Sequence, residues 1–164
     1  SDRIAEVAKR HPEIEYILNL QGDEPQMSAD VIDSLIDALH NSNADISTLV
    51  RKITSKEQIE SPNCVKCVFT KDNLALYFSR YPIPYPRNEE EAEYFAHIGM
   101  YAYKKESLLK MTSLPMAMIE KTESLEQLRA LYNGMTIKII QTNLNPVGID
   151  TIQDFEKFKN IVEG

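Results

Sequence analysis

The sequence predicts an α/β domain with a mainly parallel sheet flanked by helices and an antiparallel hairpin insertion. Three observations predict it. Short apolar runs alternate with stretches of helical periodicity, the pattern of strand–helix units. The first run, "EYILNLQ" (Glu15–Gln21), is apolar between His11-Pro12 and Gly22, as suits a strand buried in a parallel sheet. Twice a glycine precedes an aspartate where a strand gives way to a helix, at Gly22-Asp23 and at Gly148-Ile149-Asp150. In open α/β sheets ligands bind beyond the carboxyl ends of the strands, so these junctions are where chemistry is expected.

The elements follow in order. "SDRIAEVAKR" reads as a helix already under way, with Ile4, Val7 and Ala8 on one face. The chain has no initiator Met, and it is expected to be part of a longer protein. After the first strand, Ser28 is placed to cap a helix. Val31, Ile32, Leu35, Ile36 and Leu39 fall at helical spacing, and Asp30 sits in the first turn, where the helix dipole favours it. "DISTLVRKI" (45–53) is β-branched and strand-like. "CVKCVFT" (64–70) and "ALYFSR" (75–80) flank Lys71-Asp72-Asn73 as a hairpin. Three prolines and an acidic run in "YPIPYPRNEEEAEYFA" predict an exposed excursion. "HIGMYAYKK" (97–105) returns as a strand. A long helix is expected from about Ala117 to Asn133, with Gly134 just past its end. "MTIKIIQT" (135–142) is the last strand. Thr151 starts a final helix, with Asp154 completing a capping pattern and Ile152, Phe155, Phe158 and Ile161 or Val162 facing inward.

Composition narrows the function. A chain of 164 residues with 43% hydrophobic and 26% charged residues is one ordinary globular domain, or most of one. A net charge of −7 with no basic stripe argues against a nucleic-acid partner. No apolar run approaches the length of a membrane span, and Ser1-Asp2-Arg3 opens no signal peptide. Two cysteines make no disulfide framework, which fits a reducing cytoplasm. Cys64 and Cys67 lie three apart in a strand-like run, so their side chains point to opposite faces and a shared metal is not expected.

Asp23 offers a hard oxygen ligand at a strand end, suited to Mg²⁺ bound together with substrate phosphates; the plainer reading is a solvated loop that helps cap the next helix. Asp150, on a second such loop, is able to share that metal or merely to charge a helix N-terminus. His97 and Tyr101 lie four apart, on one face of a regular strand, where they would meet a polyhydroxylated ligand. Arg80 ends the hairpin as a candidate for a carboxylate or phosphate, or as an edge charge that discourages strand pairing. On "SLEQLRALYNG", Leu125, Leu128, Leu131 and Tyr132 form an apolar stripe. Arg129 lies at its margin and needs a partner there, while Glu126 and Gln127 lie progressively further round.

Taken together, "NLQGDEP", "VKCVFTKDNLALYFSRYPIPY", "HIGMYAY", "SLEQLRAL" and "VGIDTIQDFEK" resemble, in this order over nearly the whole chain, the 3-deoxy-manno-octulosonate (Kdo) cytidylyltransferases. The resemblance implies a Rossmann-like nucleotide-diphospho-sugar transferase fold. It also implies transfer of CMP from CTP to Kdo with release of pyrophosphate, for lipopolysaccharide synthesis. It makes Asp23 and Asp150 the Mg²⁺ ligands and catalytic carboxylates. Gln21, Arg80, His97, Tyr101, Glu126 and Gln127 would line the sugar-acid pocket, and Arg3 would lie near the nucleotide. Family members are homodimers that pair through the insertion, here about residues 64–103. The family's glycine- and arginine-containing nucleotide loop, of the type "IPAR…S-x-R-[LF]-P-G-K", has no counterpart in these residues. Two alternatives follow: a sister enzyme acting on a nonulosonic or 8-amino sugar acid, and a non-catalytic dimerising fragment.

Overall fold

A computed structural model describes residues 1–20 and 28–144. The expectations for Gln21, Asp23, Asp150 and the helix after Thr151 lie outside the described residues. The elements are α1 (Asp2–Lys9), β1 (Tyr16–Asn19), α2 (Ala29–His40), β2 (Ile46–Ile53), α3 (Lys56–Glu60), β3 (Lys66–Phe69), β4 (Ala75–Ser79), a 3-10 turn at Glu89–Glu91, β5 (Tyr94–Lys104), α4 (Lys105–Ser113), α5 (Met118–Glu123), α6 (Gln127–Tyr132) and β6 (Ile137–Gln141).

The strands form one sheet in the order β4-β3-β5-β2-β6, with β1 also pairing β5. The α/β class stands, but the expectation of a mainly parallel sheet is corrected to a mixed one. Among the described residues only β2 and β6 pair in parallel, whereas β5 runs antiparallel to β1, β2 and β3. An apolar run buried on both faces reads alike whether its neighbour is parallel or antiparallel, so "EYILNLQ" could not reveal its partner. Since β1 and β2 both oppose β5, and β6 follows β2, the carboxyl ends of β1, β2 and β6 share one rim.

Helices cover both faces. On one, Ala5 and Ala8 of α1, Leu108 and Met111 of α4 and Leu128 of α6 pack on Ile46, Val50, Phe78 and Tyr103. On the other, Leu35 and Leu39 of α2 meet Leu49, Ile98, Met100 and Ala102. Cys67 belongs to the first cluster, and Cys64 packs against a third around Ile53, Tyr94 and Ala96. Both thiols are free and in different surroundings; Cys64, expected within the strand, precedes β3, so strand alternation does not account for the difference. Val7, expected on the buried face of α1, is exposed; Ala5 takes its place.

The hairpin folds as expected, with Asn73 left-handed at φ 57° in its turn. Its tip lies against the outer edge of β6: Ile139 N donates to Asn73 O at 2.8 Å, and Lys138 Nζ to Asp72 O at 2.7 Å. The proline-rich excursion carries only the 3-10 turn, and Tyr81 and Tyr85 stand exposed on it. β5 begins at Tyr94, three residues before the expected strand, because Tyr94 and Ala96 bury their side chains.

The single helix expected over 117–133 is two. Ser124 adopts a left-handed conformation (φ 53°, ψ 48°) between α5 and α6, which ends the first helix and restarts the second at a new angle. Tyr132, expected in the apolar stripe, is consequently exposed, while Leu125 and Leu128 stay buried. Gly134 takes φ 73°, the left-handed cap conformation its position predicts. α4 had no counterpart in the sequence expectations; its short amphipathic stretch, "KESLLKMTS", directly continues β5.

Arg129 finds the partner its position demanded. Its Nε and Nη2 donate to the two carboxylate oxygens of Glu120 at 2.9 and 2.6 Å, with both residues buried. Glu120 also accepts from Ala117 N at 3.0 Å, so one carboxylate caps α5 and ties it to α6. The Arg129 hydrogen bonds, outweighing burial, hold the Glu120 carboxyl below its ordinary pKa. A depressed pKa adds stability that is present above the unfolded value and lost as pH falls through the folded one. We expect Glu120→Gln to cost about 3–5 kcal/mol by urea unfolding at pH 7, because it strands a buried guanidinium. Its stability should also fall less than that of the wild type between about pH 5 and 3. A loss below 1 kcal/mol would show that Arg129 finds another anion.

Candidate functional site

A cavity of about 540 Å³ opens on the sheet face covered by α1, α4 and α6. Its wall includes Arg80, His97, Tyr101, Glu126 and Gln127, five of the residues singled out in the sequence. Asn19, at the end of β1, lines it as well, so the cavity reaches the rim where the chain continues toward Gln21 and Asp23. Arg3 is exposed on α1 and is not in the cavity wall. β1 and β6 are three strand positions apart across the sheet, about 14 Å, with the end of β1 level with Thr48 and the end of β6 level with Val50. No cluster of metal-ligating side chains occurs among the described residues.

His97 and Tyr101 come together through an irregular strand. Thr48 pairs with Tyr101 and Leu49 with Ile98, so Gly99 and Met100 are extra residues in β5. An insertion of two keeps the alternation of faces, and the two rings remain neighbours with centroids 5.3 Å apart. Phe78 packs edge-on against the other side of the imidazole at 5.0 Å. Thr48 sits at the irregularity. Its hydroxyl donates to Met100 O at 2.6 Å, leaving its oxygen to accept from His97 Nε2 at 2.9 Å. That fixes the tautomer: Nε2 carries the proton and Nδ1 is the acceptor. Burial holds the His97 pKa down to about 3, so the ring is neutral at physiological pH. Burial, then the neighbouring Tyr103, Glu126 and Cys67, pushes the Tyr101 phenol well above its ordinary value, so it stays an O–H donor.

Arg80 is aimed by backbone oxygens. Nε donates to Glu123 O at 2.8 Å, Nη1 to Pro62 O at 3.0 Å and Nη2 to Ser124 O at 3.4 Å. A guanidinium has five N–H groups, so two remain, one on each terminal nitrogen, in the fork that suits a carboxylate. Among the described residues no carboxylate oxygen lies within 4 Å of this guanidinium. Gln127 is buried, and its side-chain amide has no hydrogen-bond partner among the described residues. Buried polar groups are nearly always satisfied, so an unpartnered amide in a cavity wall points to a polar ligand. Glu126 accepts from Ser1 Oγ at 2.6 Å and lies 3.7 Å from Arg129 Nη2, which keeps its second oxygen within reach of the cavity.

The cavity thus offers one forked cation, a carboxylate acceptor, a neutral imidazole, a phenol and an amide. It suits an acid that carries several hydroxyls. Thr48, Asn19 and Asn63 were not singled out in the sequence. A threonine within "DISTLVRKI" carries no mark beyond β propensity, and the two asparagines sit in unremarkable loop or strand-end positions.

Known proteins supply an independent comparison. The sequence model of the cytidylyltransferase family matches residues 1–137. The chain is 41% identical over 164 residues to the 3-deoxy-manno-octulosonate cytidylyltransferase of Fusobacterium nucleatum, covering 99% of this chain and 67% of that protein. It is 44% identical over 166 residues to the enzyme of the same name from Chloroherpeton thalassium, with 99% and 67% covered. A solved structure of a CMP:2-keto-3-deoxy-manno-octonic acid synthetase complexed with CTP matches with a TM-score of 0.92 at 37% identity, over 99% of this chain and 67% of that one. A 4-diphosphocytidyl-2C-methyl-D-erythritol synthase from Anaerococcus prevotii matches with a TM-score of 0.60 at 16% identity, a likeness of fold alone. The chain spans about two thirds of the length of the relatives it matches.

The neutral imidazole makes a testable claim. The His97 ring signals in an NMR titration should not move between pH 8 and pH 5; a midpoint above pH 6 would refute the enclosed, neutral ring. Because the folded value lies below the unfolded one of about 6.5, the unfolded chain takes up the proton first. His97 should therefore make the protein less stable as pH falls below about 6.5.

Proposed function

The chain belongs to the cytidylyltransferase family, in its 3-deoxy-manno-octulosonate branch, and we propose that it transfers CMP from CTP to Kdo, releasing pyrophosphate. The product, CMP-Kdo, would supply the sugar acid for lipopolysaccharide synthesis. The observation that carries the reading is the cavity itself, where a guanidinium with no carboxylate partner and a buried amide with no hydrogen-bond partner, among the described residues, line the same space as a neutral histidine and a tyrosine.

In this reading the Arg80 fork takes the sugar carboxylate. His97 Nδ1 accepts a hydroxyl proton, Tyr101 donates, and Glu126 and Gln127 bind further hydroxyls. Gln21, two residues beyond Asn19, would complete this shell, and Arg3 would serve the nucleotide side. The anomeric hydroxyl attacks the α-phosphorus of CTP; its O–P bond forms as the bond to pyrophosphate breaks, and the hydroxyl proton passes to bulk water. The protein's share of such a reaction is in-line positioning and compensation of charge. Asp23 and Asp150 are the pair that would hold Mg²⁺, their hard oxygen donors fitting that ion. When bound, the metal neutralises phosphate charge and acidifies the attacking hydroxyl.

The reading extends to assembly and place. The insertion over about 64–103 leaves Leu76, Tyr81 and Tyr85 exposed, apolar surface consistent with a homodimer paired there. No helix among the described residues is long and apolar enough to cross a membrane, and the proposed substrates belong to the cytoplasm.

The full-length protein, given CTP, Mg²⁺ and Kdo, should release pyrophosphate, and Asp23→Asn and Asp150→Asn should each lower turnover by at least 1,000-fold with the fold intact. No release with Kdo but release with a nonulosonic or 8-amino sugar acid would move the assignment to a sister enzyme. Near-normal activity of either Asn variant would remove that residue from the metal site. Sedimentation at micromolar concentration should return the mass of a dimer; a monomer would refute the pairing.

A further inference from the structure

Lys66 is the least expected residue of the core. It lies in β3 with no exposed surface, although lysine is among the residues least often buried. Its ammonium reaches three backbone carbonyls, those of Ser61 at 2.9 Å, Cys64 at 2.6 Å and Arg80. An ammonium has three N–H groups, so the three carbonyls match them one to one. Burial drives the pKa of this group down, and nearby Arg80 adds to that effect, while Cys64 and Glu123 oppose it. A charge kept in such a place against its own desolvation calls for a reason other than filling space, since an apolar side chain of the same volume often serves stability as well.

The three carbonyls supply the reason. Ser61 and Cys64 bracket the loop that holds Pro62, whose carbonyl accepts from Arg80 Nη1, and Asn63, which lines the cavity. The third carbonyl is that of Arg80 itself. Lys66 therefore joins the backbone of Arg80 to the loop that grips its guanidinium. Glu123 does the same from the opposite side. Its carboxylate accepts from Arg80 N at 2.9 Å and from Ser79 Oγ at 2.7 Å, and its carbonyl accepts from Arg80 Nε. The left-handed Ser124 next to it offers its carbonyl to Nη2. The guanidinium is thus set by two separate segments, the 61–64 loop and the α5–α6 junction, and among the described residues Lys66 and Glu123 tie these to the backbone of Arg80.

We propose that Lys66 and Glu123 are positioning residues that fix the Arg80 fork for the carboxylate of the sugar acid without touching the substrate. This rests on the reading of the cavity as the Kdo site. Because the devices act on one side chain, their loss should be felt in sugar-acid binding and not in CTP binding.

The test uses the full-length enzyme, with initial rates measured while either Kdo or CTP is varied at saturation of the other. Lys66→Met should raise KM for Kdo at least tenfold and leave KM for CTP within twofold. In an Arg80→Gln background the same substitution should change KM for Kdo by less than twofold, since the group it positions is gone. Equal rises in both KM values, or a full tenfold effect that persists in the Arg80→Gln background, would overturn the proposal by showing a general loss of structure. An unchanged KM for Kdo in Lys66→Met would overturn it as well. If Lys66→Met does not fold by circular dichroism, Glu123→Gln carries the same comparison, with the same expected split and the same refuting outcomes. A wild-type enzyme inactive on Kdo would instead refute the function on which the proposal rests.

Discussion

Two extra residues in one strand, and the threonine hydroxyl that holds them, set the geometry on which the site depends. Among the described residues β5 is the longest strand and the common neighbour of β1, β2 and β3. Its register with β2 shifts between Thr48 and Leu49. Gly99 and Met100 take up the mismatch with β2, and Thr48 binds the carbonyl of Met100 across the gap. The same hydroxyl oxygen accepts from His97. One polar atom in the sheet therefore stabilises an irregular backbone and orients the imidazole beside it. Since the insertion is even, Ile98 and Met100 still face α2 while His97 and Tyr101 face the cavity. An odd insertion would have sent one of the two rings to the wrong side of the sheet.

The opposite wall is built from charge in place of aromatic rings. Glu120 and Arg129 pin two short helices together across the left-handed Ser124, and the turn between them with the first residue of α6 brings Glu126 and Gln127 to the cavity. The same turn presents the carbonyls of Glu123 and Ser124 to Arg80. The helix break is thus part of the site. A continuous helix over 117–133 would have spent those carbonyls on its own hydrogen bonds. The wall combines a neutral half, where burial keeps histidine and tyrosine uncharged, with a polar half, where backbone oxygens orient a cation and leave its charge available.

Much of this was legible in the sequence, for identifiable reasons. The strands at 45–53 and 135–142, the hairpin about Asn73 and the amphipathic helix after Ser28 carry strong local signals, and they form where those signals place them. Of the five cavity residues, His97 and Tyr101 were marked by their shared strand face and Arg80 by its place at the hairpin end, while Glu126 and Gln127 came only from the family resemblance. Strand direction was not legible, because pairing is a property of two segments and neither "YILN" nor "ISTLVRKI" encodes its neighbour. The break at Ser124 was hidden because serine carries no strong left-handed preference. Lys66 and Thr48 escaped notice because each looks like an ordinary strand residue until its partners are known. Asp23 and Asp150, the metal ligands that the resemblance implies, lie outside the described residues.

The hairpin tip has a consequence beyond the cavity. A terminal strand ordinarily offers its outward amides and carbonyls to any extended peptide that drifts by. Here the left-handed Asn73 and its neighbour Asp72 already occupy part of that border on β6. A foreign ribbon seeking to zip on at Ile139 must first peel the turn away, so self-templated fibre growth from this side begins with an uphill step.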